Sequence, residues 1–519
     1  MRRLAVLCPV LFACGATWSA DYLMEGGDNG RTGWLRNDKS FNTNNVRNMK
    51  LLWKTKLDSV PREMHNLFPP MIATDVNTNR GTKEILIVAG VSDDLFALDA
   101  ATGTQLWKKH FDNTWAPGGR GPSGDTLCPG GQLAVPAIGA NGPGKYTVYA
   151  VSWDGRLWQV NAADGAEVAQ PEKFIPPNGK PYALNLQRGV VYASTAQFCG
   201  GVGNMVLSFN LKTRRTSVFF PGGGGLWGRR GVAMSPDGNV YMGTGDGQFD
   251  PENGRLGNGL VAVKPDKTEE LKLAGYYGPS NADWLWKRDM DINVSPMSFD
   301  YKGKHFVAGT SKECRVWLLD RDEFGGEDHR TPLDRTPLIC NDIAHFAGLG
   351  VWGAMAFWED ERGNAWIAVP FYGPVSRQFH APLERGRPAL GGVATFRLEE
   401  KGGKWQLAPA WLSKDIGPGE EAIEANGVLF TYVSGEDVRV TREDRAWDEP
   451  PPTTGSTGLR IADSTHATLY AMNAATGEHL WTSGNQIASW NHFSGISAAN
   501  GRVYVPTFDG YLYCFGVAK

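Results

Sequence analysis

The stretch LFALDAATGTQLWKKHF (95–111) returns near the other end of the chain as TLYAMNAATGEHLWTSG (468–484). Each copy has an alternating apolar run, an Asp or Asn, a small-residue turn closed by Thr-Gly, and a second run that reaches a tryptophan. That is the pattern of a tight β-hairpin. Weaker copies begin at Leu157, Met205, Gly259, Arg315 and Gly392, and a further apolar strand usually precedes each, as in KYTVYAVSWDG and GNVYMGTGDG. Seven hairpins are therefore visible. The last strand, YLYCFGVAK, has nothing after it to pair with, and NMKLLWKTKLDS (48–59) has nothing before it. Joined, they complete an eighth. Repetition of this kind marks propellers and solenoids, and closing a ring hides the sheet edges that would otherwise seek partners. The pattern predicts an all-β chain, an eight-bladed propeller of four-stranded blades closed by its N- and C-terminal strands, with seven blades as the alternative. Trp53, Trp107, Trp411 and Trp481, at hairpin ends, are expected to dock one blade on the next.

The chain has 519 residues, a formal charge of -3 and no long Lys/Arg run, so no basic field is offered to nucleic acid. MRRLAVLCPVLFACGATWSA reads as a secretory signal peptide over residues 1–20, because its apolar part is too short to span a bilayer. LFAC, ending at Cys14, is an imperfect lipidation signal. No later segment reads as a membrane span. The expected mature protein is one propeller domain, residues 21–519, in the periplasm or outside the cell. There the five cysteines beyond the signal can pair. Cys128 with Cys199 and Cys314 with Cys340 are the expected bridges, leaving Cys514 as a buried thiol. Nine scattered histidines and no CxxC pair give no sign of zinc or haem.

The A-x-D/N-x-x-T/D-G-x-x-x-W hairpins resemble the repeat of the pyrroloquinoline quinone (PQQ) propeller superfamily, and the leader GGDNGRTGWLRNDKSFNTNNVRNMKLLWK (26–54) looks like that of its alcohol dehydrogenases. The resemblance implies a flat aromatic floor under a quinone, a calcium ion with oxygen ligands, a cation near the quinone oxygens and a carboxylate base. GGGGLWGRRGVAMSPDGNVYMGTGDG (222–247) places Trp227 as the floor and Asp246 as a calcium ligand. WLWKRDMDINVSP (284–296) places Asp289 as the base. Asp291, two residues on, falls on the same face of an expected strand, where the two carboxylates would raise each other's pKa. GTSKECRVWLLDRDEFGG (309–326) places Lys312 near the quinone oxygens. The mechanism so implied is proton abstraction from an alcohol by Asp289, with hydride passing to PQQ.

The departures weigh against this. DTLCPGGQ has one cysteine where the dehydrogenases have two adjacent, ASTAQFCGGVGN has Gln197 and Cys199 where a calcium-binding glutamate is expected, and Val351 stands where a cofactor-binding asparagine would be. With no CxxCH, the electron acceptor must be a separate cytochrome or a quinone. The competing expectation is a non-catalytic propeller that serves as a scaffold or binding module of the cell envelope. Convergence of Trp227, Asp246, Asp289 and Lys312 on one central site separates the two. The glycine-rich GTGDGQFDPENGRLGNG (243–259) is neither a dinucleotide loop nor an EF-hand, because a strand and not a helix follows it; it reads as a connection between two blade strands.

Overall fold

A computed structural model describes residues 20–113, 128–439 and 457–517; the segment expected to be a signal peptide, up to residue 19, lies outside them with Cys14. Eight antiparallel sheets of four main strands follow one another along the chain and close into a ring, and the eight-bladed expectation holds. The first blade runs Met71–Thr78, Gly81–Gly90, Asp94–Asp99 and Gln105–His110 from the axis outward. The eighth takes its inner three strands from Ser497–Ala499, Arg502–Pro506 and Tyr511–Gly516, and its outermost from Lys50–Lys56 at the other end of the chain. Trp53 lies opposite Cys514 in that closing pair, and Cys514 is a buried free thiol. Middle strands are covered on both sides by neighbouring blades, so they read as unbroken apolar runs such as ILIVAG (85–90), all buried.

The hairpin repeat has a mechanical purpose. The Trp53 indole donates to the Ala100 carbonyl of the next blade at 3.1 Å, Trp107 to Ala162 at 3.0 Å and Trp411 to Ala474 at 2.9 Å. Each ring lies on the Thr-Gly or Asp-Gly turn it faces. A Cβ at Gly103 would come within 2.5 Å of the Trp53 ring, which is why the turn needs glycine as well as a positive φ. Trp481 faces the eighth blade, where chain termini replace that turn, and packs on Phe515 instead. Trp107→Ala is expected to cost about 3 kcal/mol of stability, read as a lower urea midpoint, since it removes a large packed ring and a hydrogen bond together.

Residues 20–38 run round the channel and touch every blade in order. Tyr22 exchanges backbone bonds with Ile72, Leu23 accepts from Ile138, and the Asn29 side chain reaches Leu186. The Asn29, Gly30 and Thr32 carbonyls accept from Met234, Ser298 and Phe357, Gly33 and Leu35 bracket Glu424, and Asp38 accepts from Asn500. The leader thus fills the channel, with Tyr22, Glu25 and Arg31 fully buried. Burial lifts the Glu424 carboxyl to about 8, one of its oxygens having no partner among the described residues. A folded-state value above the unfolded one of about 4.3 means the folded chain holds the extra proton, so stability should fall as pH rises from about 4 to 8. Glu424→Gln should flatten that slope in thermal melts across this window.

Because strands alternate in direction, the loops joining second to third strands and those joining one blade to the next all emerge on one face. The two bridges form there as expected. Cys128–Cys199, with Cα atoms 5.6 Å apart, ties the entry to the second blade to a loop of the third. Cys314–Cys340, 5.4 Å apart, pins the loop that carries Lys312 to the entry of the sixth blade. The glycine-rich 243–259 segment does connect two strands of the fourth blade, Val240–Gly243 and Leu260–Pro265, but it also folds into a small hairpin of its own, Phe249–Asp250 on Arg255–Leu256.

Candidate functional site

Four of these loops bring the expected residues together. Asp246 follows the second strand of the fourth blade, Asp289 and Asp291 precede the fifth, Lys312 follows the second strand of the fifth, and Trp227 precedes the fourth. Carboxylate oxygens of Asp246, Asp289 and Asp291 lie within 4.8 Å of one another. The Lys312 ammonium stands 2.6 Å from Asp291 and 3.1 Å from Asp289, and the Asp246 backbone N–H donates to Asp291 at 2.7 Å. Close approach is needed here, since a Cβ at Gly245 would meet the Asp291 carboxylate at 2.6 Å.

The local structure differs from the expected strand. Ala282–Lys287 forms a short helix, and Asp289 turns the chain with φ +56 before the fifth blade begins at Met297. It is this turn, and not strand alternation, that sets the two aspartates side by side. Their expected mutual pKa elevation is half met. Burial drives Asp291 well above the usual carboxylate range, with Asp289 and Asp246 adding to it against the pull of Lys312. For Asp289 burial acts in the same direction, but the Lys312 ammonium and hydrogen bonds from Asp291 and Asp246 outweigh it and hold the carboxyl below its ordinary value. Asp246 is exposed as a residue, yet its carboxylate faces the cluster, and lost hydration and the Asp289 charge push it up to about 6. Burial would lower the Lys312 pKa; its three acidic neighbours raise it instead.

Aromatic rings wall the cluster. The Lys312 ammonium sits 5.0 Å from the Trp352 ring centre and 6.0 Å from that of Trp227, and Lys180 approaches Trp227 from the second-to-third blade loop at 5.8 Å. The Trp227 indole N–H is buried without a partner among the described residues. Trp352 stacks on Tyr372 at 6.2 Å and meets Phe493 at 6.3 Å, which carries the surface round to the eighth blade.

Next to Trp227 two arginines cross the channel. Arg229 pairs with Glu420 at 2.5 Å and donates to the Tyr432 hydroxyl at 2.8 Å; Arg230 pairs with Glu421 at 2.7 Å. All four charged side chains are nearly solvent-free. They lock the fourth blade to the seventh beneath the site. The sequence signal for them was readable, because GRRG and GEEA are charged doublets set between glycines and inner strands, where a solvated face would not place them. Trp352 was also missed, one residue from Val351. Val351 itself is fully buried in an apolar cluster and offers no polar group.

No protein-family model and no curated protein matches the chain. Its structure is similar to the quinohemoprotein alcohol dehydrogenase from Comamonas testosteroni, with TM-score 0.60 and 16% identity over 97% of this chain and 81% of that one. A quinohemoprotein alcohol dehydrogenase from Pseudomonas putida HK5 gives 0.60 and 13% over 96% and 81%. A europium-containing methanol dehydrogenase gives 0.60 and 13% over 96% and 98%. At these identities the likeness shows the fold alone, the eight-bladed propeller that these dehydrogenases share.

Proposed function

We propose that the chain is a quinoprotein-like oxidoreductase, acting on an alcohol or similar substrate with PQQ and a hard cation bound at this site. The observation that carries the reading is the convergence of Trp227, Asp246, Asp289, Asp291 and Lys312, from four separate loops, on one face of the channel. The residues fit such groups. Three carboxylates are an oxygen donor set of the kind hard cations take, and Trp227 offers a ring with an unpartnered buried N–H. Asp246, Asp289 and Asp291 would hold the cation, Trp227 would support the quinone, and Lys312 would meet its oxygens. The quinone supplies the two-electron acceptor. Asp289, whose side chain is 43% exposed against 1% for Asp291, is open to an incoming hydroxyl.

The protein would work in the periplasm or outside the cell and pass electrons to a separate cytochrome or quinone. Large apolar side chains open to solvent gather on the loops of the site face, among them Phe198, Phe220, Trp284, Trp286, Ile343 and Leu390, as a docking surface for such a partner requires. No helix among the described residues is long and apolar enough to cross a membrane.

A non-catalytic scaffold is the second reading, and one observation favours it: Lys312 already pairs with two of the three carboxylates, in the place a cation would take. Reconstitution with PQQ and either calcium or a trivalent lanthanide, the latter because one structural neighbour contains europium, separates the two. A bound-quinone absorbance and dye-linked alcohol oxidation are expected. Neither appearing with either ion at saturation leaves the scaffold.

A further inference from the structure

Across Trp227 from the acidic cluster lies a second group of titratable side chains that this reading does not use. A small pocket is lined by His65, Leu133, Lys180, Tyr182, Arg229 and Phe493. They come from five different blade-to-blade loops, which only the propeller axis can bring together. The pocket has room for a water-sized group, so what enters is one end of a ligand and not a ring. Two buried polar atoms in its wall, His65 Nδ1 and Arg229 Nε, have no hydrogen-bond partner among the described residues, although both residues are at least 95% buried. Buried nitrogens without partners are costly, and they call for a polar group that completes them.

Behind His65 stands a second buried histidine with a carboxylate partner. The His65 ring meets His492 edge-on at 4.8 Å, and His492 Nδ1 is hydrogen-bonded to Glu436, which has Arg460 at 3.9 Å on its other side. His492 and Arg460 are as buried as His65. We propose that His65 exchanges a proton with a small hydroxyl-bearing ligand in this pocket, with His492 and Glu436 as positioning residues. With the other ring nitrogen protonated, Nδ1 offers a lone pair. The ligand O–H bond breaks, its proton moves to Nδ1, and the electron pair stays on oxygen, facing the Lys180 ammonium. The surroundings of His65 keep its ring neutral, with a lone pair to offer. Burial, His492, Lys180 and Arg460 hold it well below the ordinary histidine value, so it waits neutral.

The test uses cofactor-free protein, so its outcome is independent of the quinone reading. With ¹⁵N-labelled histidine and 2,2,2-trifluoroethanol as the probe, the His65 Nδ1 resonance is expected to move as the probe saturates. In His492→Gln and Glu436→Gln, checked for folding by circular dichroism, the probe should still bind and that movement should be lost. A proton on His492 Nδ1 should resonate far downfield in the wild type and lose that shift in Glu436→Gln. Failure of the probe to bind, or binding that leaves His65 unmoved, overturns the proposal. A His65 response unchanged in both variants removes His492 and Glu436 from it.

Discussion

Arg230→Met is expected to cost the fold about 3–5 kcal/mol, seen as a fall in the urea midpoint with an unchanged slope. Arg230 donates to Glu421 through two nitrogens at 2.9 and 2.7 Å and to the carbonyls of Arg31, Met355 and Ala422 at 3.0, 2.7 and 2.8 Å. One side chain therefore satisfies the leader and the inner strands or entries of the sixth and seventh blades. Its removal strands the Glu421 charge in a fully buried site, close to Glu25, whose carboxylate already has no partner among the described residues. Attraction between buried ions does little more than offset their desolvation, so the loss comes from the orphaned partner and not from the pair itself. The double variant Arg230→Met, Glu421→Leu should accordingly recover much of the loss. A single-variant cost below about 1 kcal/mol, the level of a surface ion pair, would show that water reaches the channel centre.

Legibility followed the physics of each element. Blade number and closure could be read because a repeat in sequence is a repeat in space, and because a hairpin lacking its second strand points to the other terminus. The docking tryptophans could be read for the same reason: three of the four meet the turn that their own motif contains. The site was legible one residue at a time, as Trp227, Asp246, Asp289, Asp291 and Lys312 do converge. Its electrostatics were not. That Lys312 would enter the acidic cluster, and split Asp289 from Asp291 in pKa, depends on loop geometry that no spacing encodes. The leader's path round eight blades and the His65, His492 and Glu436 group join residues more than 400 positions apart, and no local pattern announces such a contact.

Lys312→Met is expected to destabilise the metal-free protein by about 3–5 kcal/mol at pH 7, since it removes the only positive charge in contact with Asp289 and Asp291 among the described residues. The sign of the Asp289 contribution with pH reverses between the two proteins, while Asp246 and Asp291 are already raised in the wild type. In the wild type, Asp289 titrates below its unfolded value, so its contribution is present above about pH 4 and is lost as pH falls through the folded value. Without the ammonium, burial and like-charge repulsion act unopposed and all three carboxyls move up. The variant then gains stability on acidification and loses it as pH rises through the new folded values, so the two proteins should differ little near pH 4 and most at neutrality. A cation that occupies the vacated position should restore the fold, by about 2.7 kcal/mol at a hundred times its dissociation constant. Thermal melts with and without calcium or a lanthanide measure this directly. Rescue by the ion, larger in the variant than in the wild type, identifies the three carboxylates as a cation site with lysine as its competitor. Destabilisation without rescue identifies Lys312 as their structural partner and removes the main physical support for metal-assisted chemistry on this face.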